Sequence, residues 1–185
     1  MEEQKREVAL ELKHLKKVFG ETIVLEDIDI SFQKGEFHAL VGENGAGKST
    51  IIKTISGVHK PDGGQILLYG KKVKFNSPND AQRAGISTLF QEIQEIPEMT
   101  VAENIFLGRE PRRSGNVLIN KRKLYQDAET IMNELGIAID TTKRMCELPV
   151  SGRKMVEIAR AVSQQASVVI MDEPTANLNA EEINA

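Results

Sequence analysis

The chain has 185 residues, 40% of them hydrophobic and 28% charged, which suits one domain with a substantial core. A net charge of -3 offers no basic field for nucleic acid, no apolar run reaches the length of a membrane span, and the charged start Met1–Glu7 lacks the apolar centre of a signal peptide. The one cysteine, Cys146, has no partner for an internal disulfide, so a reducing compartment and a packing role rather than a nucleophilic one are expected for it.

Val8 to Leu15 alternates apolar and polar residues as a half-buried strand does, Lys16 to Thr22 reads as a turn, and Val24 to Phe32 alternates again. These two runs make an antiparallel edge. Lys34-Gly35 then turns the chain into Glu36–Val41, an apolar run expected to be a buried strand. It leads into Gly42-Glu43-Asn44-Gly45-Ala46-Gly47-Lys48-Ser49-Thr50, a phosphate-binding loop of the form G-x-x-x-x-G-K-[ST]. Ser49 to Ser56 has helical spacing and stops at Gly57, which completes the strand–loop–helix context that this motif requires. Glycines let such a loop turn its N–H groups toward one anion, and the helix adds its positive end. Lys48 is placed to reach the β- and γ-phosphates of a nucleotide, and the Ser49 hydroxyl to hold Mg²⁺.

Lys60-Pro61-Asp62-Gly63-Gly64 is a turn, Gln65–Tyr69 a strand, Gly70–Lys72 a turn and Val73–Phe75 a short strand. Ser77 to Ala84 opens on capping residues and reads as a short helix, and Ile86–Phe90 is a β-rich run ending at Gln91. From Thr100 to about Gly136 the pattern becomes helical, with Val101, Ile105 and Leu107 in one piece and Leu124, Ala128, Ile131, Met132 and Leu135 on the face of another. The Pro/Arg-rich loop Arg109–Gly115 lies between them, so the segment looks like a helical insertion in an α/β body. Ser151–Gln164 is helical again, with Met155, Ile158, Ala159 and Val162 on one side. Ser167–Asp172 is a continuous apolar strand of the buried parallel kind, and Ala180–Ile183 begins a helix. Asp172, at that strand's end, has the chemistry to hold the water shell of Mg²⁺ beside Ser49, and Glu173 is next to it as a candidate general base for an attacking water.

Together these pieces resemble the ATP-binding-cassette (ABC) ATPases, in order and spacing, from about Leu10 to the last residue. The resemblance implies an α/β P-loop NTPase with a mixed central sheet, an antiparallel β edge and a helical insertion subdomain. It implies a nucleotide-binding domain over 8–185, with 92–150 as the approximate helical part. By it, Gln91 touches Mg²⁺ or the attacking water and Phe19 stacks on adenine. The runs Phe37–Gly47, Thr100–Arg109, Met155–Ala159 and Ile170–Thr175 are most similar to the sugar-importer subfamily, and within it to the first of two cassettes in one polypeptide. ATP and Mg²⁺ are then the expected cofactors. The implied partners are a second cassette, integral membrane permease subunits and, indirectly, a sugar-binding protein, with the chain peripheral on the cytoplasmic face and no nucleic acid expected.

The departures carry expectations too. The family signature begins Leu-Ser-x-Gly, whereas this chain has Leu148-Pro149-Val150-Ser151, without the hydroxyl that meets a partner's γ-phosphate. A weakened composite site is expected there. Asn179 stands in Ala176-Asn177-Leu178-Asn179 where the family usually carries Asp. The family continues to a switch His that none of His14, His38 and His59 matches, so a fragment poorly stable and inactive alone is expected. The alternatives are a cassette that binds nucleotide without turnover, and a cassette ATPase outside transport.

Overall fold

The computed structural model describes residues 7–89, 95–113 and 118–172. It divides into two compact units, residues 1–87 and 88–185. In the first unit, β1 (Val8–Phe19) and β2 (Thr22–Gln33) form an antiparallel hairpin, and β3 (Gly63–Leu68) and β4 (Lys71–Val73) extend it in the order β2-β1-β3-β4. The turn expected over Lys16–Thr22 shrinks to Gly20-Glu21. Lys16 pairs with Gly63 and Lys17 with Leu25, so ladder partners on both sides hold as strand two lysines of low β propensity. Leu10, Leu12, Leu15, Leu25, Ile66 and Leu68 are buried, as are Ile51, Ile52 and Ile55 of α1 (Lys48–Ile55). α2 (Pro78–Arg83) comes later, its N-cap Ser77 accepting from the Asp80 N–H at 3.3 Å.

The hairpin is irregular at one place, and polar groups hold the irregularity. The register shifts between Leu12 and Leu15, and His14 (φ 50) and Asp27 (φ 55) both take left-handed backbone angles. The His14 N–H donates to Asp29 Oδ1 at 2.8 Å, and His14 Nδ1 lies 2.7 Å from Asp27 Oδ1. The bulged His14 carbonyl faces Gly64 (φ +79), where a Cβ would collide with that oxygen; only glycine fits.

The run Glu36–Val41 is not a strand. Phe37 (105% relative exposure) and Val41 (88%) are open, and among the described residues no strand pairs with the run. A strand is stabilised by its ladder and by cover on its faces, so apolar composition alone does not make one. Instead the chain folds back after β2: Glu36 N–H donates to Gln33 O, Gln33 N–H donates to Glu36 Oε2, and the rings of Phe32 and His38 meet edge to face at 4.8 Å.

The second unit is helical around one apolar core. α3 (Val101–Ile105), α4 (Lys121–Glu134) and α5 (Val150–Ser163) contribute Val101, Ala102, Ile105, Leu124, Ala128, Met132, Val156 and Ala159. Ile131 and Leu135 pack against the edge of this core. Of the face expected for α5, on Met155, Ile158, Ala159 and Val162, only Ala159 is buried. Gly152, Val156 and Ala159 are inside, Met155 and Ile158 are half-buried, and Val162 is exposed. The start of α5 at Val150 turns the 152/156/159 stripe onto α3 and α4. Thr100 and Glu103 form a reciprocal capping box at α3. A two-stranded sheet pairs β5 (Ile86–Leu89) with β6 (Val168–Met171). The apolar run predicts β6 buried throughout, but Val169 and Met171 are exposed, as one-sided cover of a short strand produces. Cys146, expected to pack, is exposed in a single 3-10 turn, Met145–Glu147, where Met145 takes the buried place.

One buried polar side chain organises the chain ahead of α3. Asn104 Oδ1 accepts from Ile96 N–H at 2.8 Å, and Nδ2 donates to the carbonyls of Ile96, Met99 and Thr100. Asn104→Leu keeps the volume and orphans these groups, so it should cost about 2–4 kcal/mol in urea unfolding of the intact protein. A change within experimental error would show that the 96–100 backbone finds other partners. A second expectation concerns the hairpin. Asp27, through a side-chain hydrogen bond, and Asp29, by its charge, raise the His14 pKa above its ordinary 6.5, with Lys13 opposing. A raised folded pKa gives stabilisation that is complete below 6.5 and is lost as pH rises through the folded value. Amide exchange at His14 should therefore be more strongly protected at about pH 5.5 than at about pH 8, after correction for intrinsic rates, and His14→Asn should flatten the dependence.

Candidate phosphate-binding site

Gly42–Thr50 is gathered in the first unit as one tight loop leading into α1. Gly45 (φ 86) and Gly47 (φ 88) supply its two left-handed residues, and Ala46 N–H closes the turn onto Glu43 O at 3.1 Å. Gly47 is pressed on β2. A Cβ there would come 2.8 Å from Leu25 Cδ2 and 3.2 Å from Val24 O, so neither the angle nor the space admits a side chain. Gly42, Glu43, Asn44, Gly45, Ala46 and Ser49 are exposed, Lys48 and Thr50 half-exposed, and Gly47 buried. The loop backbone and the Ser49 hydroxyl thus face outward from a buried hinge.

Electrostatics favour an anion at this place. The N-cap of α1 is Gly47, with no side-chain cap, and its first turn holds no acidic residue. Its early N–H groups are therefore spared an internal carboxylate or hydroxyl. The Lys48 ammonium donates to Gly42 O at 2.6 Å and Glu43 O at 2.8 Å, which places a full positive charge against the loop's own carbonyls. Phosphate oxygens carry more charge than those carbonyls and make stronger acceptors.

Phe19 ends β1 and is 42% exposed. Asp172 comes directly after β6 in the second unit, half-buried, its N–H donating to Leu89 O at 2.9 Å. Gln91, Glu173 and Ala176–Asn179 lie outside the described residues. Of the signature positions, Leu148 is buried and Pro149 is the N-cap of α5, with Val150 and Ser151 in its first turn.

Sequence reasoning missed the groups that hold the start of α5. Arg153 donates from Nε to Leu148 O, from Nη2 to Cys146 O and from Nη1 to Glu95 Oε1 at 2.9 Å, so one guanidinium clamps the chain before the helix. Lys154 and Glu157 form a buried ion pair at 2.7 Å. Their i, i+3 spacing was visible, but not that both charges lie inside. Arg109 ties the far end of the unit, donating to Ile105 O and Ser163 Oγ.

A glycine-hinged loop whose lysine and uncapped helix face one point defines a P-loop nucleotide-binding protein. The family model described as "ABC transporter" matches residues 25–176, and the chain belongs to that family. It is 45% identical over 174 residues to the ribose import ATP-binding protein RbsA 1 of Streptomyces avermitilis, a match that covers 94% of this chain and 33% of the relative. It is 44% identical over 176 residues to ribose import ATP-binding protein RbsA of Geobacillus kaustophilus, covering 95% of this chain and 36% of the relative. The chain thus spans about a third of the length of these relatives. Among solved structures, a nucleotide-free ATP-binding cassette from an ABC transporter superposes with a TM-score of 0.81 at 30% identity, over 95% of this chain and 73% of that one. The cbiO1 protein of Clostridium perfringens gives 0.77 at 26%, over 96% and 70%. The fold is that of an α/β P-loop NTPase.

Gly47→Ala forces a left-handed alanine onto Leu25 and should abolish nucleotide binding in the intact protein while leaving α3–α5 folded. Titration calorimetry with ATP checks the first part and far-ultraviolet circular dichroism the second. Wild-type affinity in this variant would mean that the loop does not need its hinge.

Proposed function

We propose that the chain is the ATP-binding and ATP-hydrolysing cassette of an importer for a monosaccharide. The observation that carries this is the uncapped N-terminus of α1, flanked by Lys48 and Ser49. The sugar is inferred from the relatives, whose names specify ribose import. The cassette is a single nucleotide-binding domain over 8–185 with residues 92–150 as its helical insertion.

In this reading the backbone of Gly42–Thr50 wraps the phosphates and Lys48 exchanges its two carbonyl acceptors for β- and γ-phosphate oxygens. Phe19 receives the adenine. The outward Ser49 hydroxyl, with Asp172 and Gln91, would hold Mg²⁺, a donor set of oxygens that fits this hard cation. When bound, Mg²⁺ supplies neutralisation of phosphate charge. Glu173 orients a water for in-line attack on the γ-phosphorus and takes its proton. The new bond joins the water oxygen to that phosphorus as the bond to the β–γ bridging oxygen breaks, and ADP leaves with the bridging electron pair. Leu148–Ser151, at the start of α5, faces the γ-phosphate of a second cassette. Integral membrane permease subunits carry the sugar, which a binding protein delivers to them, and the cassette docks on them peripherally from the cytoplasmic face.

Lys48→Ala in the intact protein should lower ATP hydrolysis on the order of 10²-fold or more, and abolish uptake of the sugar by cells that depend on it. Undiminished hydrolysis would remove Lys48 from the site. Lost hydrolysis with normal uptake of every monosaccharide tried would remove the importer reading and leave the ATPase.

A further inference from the structure

The end of β1 is fastened to the loop that leaves the far end of α1. The rings of Phe19 and His59 meet nearly perpendicular, with centroids 5.1 Å apart at 76°. The Lys17 ammonium lies over the Phe19 ring, 5.1 Å from its centroid. That ammonium is not free to swing: it donates to Lys60 O at 2.8 Å and pairs with Asp62 Oδ2 at 3.0 Å, and its side chain is only 12% exposed. Asp62 Oδ2 also accepts from Val18 N–H at 2.7 Å, and Asp62 N–H donates to Lys16 O at 2.9 Å. His59 is set from the other side, its N–H donating to Lys53 O of α1 at 2.9 Å. Residues 59–62 therefore grip Lys16, Lys17, Val18 and Phe19 in succession, while their own root is the helix whose first turn forms the phosphate loop.

A half-exposed phenylalanine at a hairpin tip ordinarily samples several rotamers. Here one face is taken by a cation and the ring is fixed by a second aromatic, so the open surface of Phe19 is held in one orientation. We propose that His59 is a positioning residue for purine recognition. Its ring holds Phe19 in the plane on which the base of an adenine nucleotide stacks, and Lys17, anchored by Asp62, limits stacking to the opposite face. The proposal rests on the reading of Phe19 as the base platform. It adds that base affinity is set through a residue that lies beyond α1 and belongs to no nucleotide motif. An edge-to-face aromatic pair contributes enough beyond its buried area to change a dependent affinity by about 2- to 12-fold.

The test compares a ligand that has the base with one that lacks it, in the intact protein. ATP and inorganic tripolyphosphate are titrated by calorimetry into wild type, Phe19→Ala, His59→Ala and His59→Phe. The proposal expects Phe19→Ala to weaken ATP binding and His59→Ala to weaken it by about 2- to 12-fold. Both should leave tripolyphosphate unchanged, and His59→Phe should restore ATP affinity, because a second aromatic ring can take the same edge-to-face place. If Phe19→Ala leaves ATP binding intact, the platform reading falls and this inference falls with it. If Phe19→Ala weakens ATP but His59→Ala does not, the platform stands and the role of His59 is overturned. Equal loss of ATP and tripolyphosphate in His59→Ala, or no recovery in His59→Phe, also overturns it, since general damage to the fold would give those results.

Discussion

The constraint on which the first unit depends is the contact of Gly47 with Leu25 and Val24. It requires a residue without a side chain at a left-handed angle, and it fixes where α1 begins and which strand that beginning rests on. Because the hinge is buried while Ser49 is exposed, the loop's backbone must face outward. Because Ile51, Ile52 and Ile55 are buried, the helix cannot rotate to hide its first turn. The outward helix end is thus a by-product of packing: the core holds the helix, and its N-terminus has nowhere to point but the loop mouth.

Much of this was legible in the sequence, for identifiable reasons. The glycine spacing of the loop encodes backbone angles directly, and those angles do not depend on distant neighbours. The stripe Leu124, Ala128, Met132 was readable because α4 has one covered face. Glu36–Val41 was misread because its apolar composition implies a strand only if another strand lies beside it. The face of α5 was misread because Met155, Ile158 and Val162 form as good an apolar stripe with Ala159 as Gly152 and Val156 do. Choosing between them needs the position of α3 and α4. Turn length failed for the same reason: Lys16 becomes strand through Gly63, more than forty residues away, and Lys17 through Leu25 on the returning strand.

What could not be read at all is the polar interior of the second unit. Asn104 serves four backbone groups, Arg153 three acceptors, and Lys154 and Glu157 one another. Buried charge pairs are poor net stabilisers, since desolvation offsets most of their attraction, whereas breaking one is costly. Such groups penalise every alternative arrangement. A start of α5 shifted by one residue would strand Arg153 away from Cys146 and Leu148. These contacts do more for the geometry of the 146–153 segment than for its free energy.

That geometry gives a different view of Pro149. Its lack of a hydroxyl suggested a weakened site, yet among the described residues the α-helices sort by their N-termini. α2, α3 and α4 are capped by Ser77, Thr100 and Asn120, whose oxygens accept from the first turn. α1 and α5 have Gly47 and Pro149 in that place, with no side-chain cap and no acid in the first turn. Forgoing a cap costs about 1 kcal/mol, and it is forgone at the two helices that the proposed function aims at phosphate. A serine at 149 could turn its oxygen onto its own helix; proline cannot. The substitution removes one donor from the signature and leaves the first turn of α5 without a side-chain cap, with Arg153 clamping the preceding chain to the helix start.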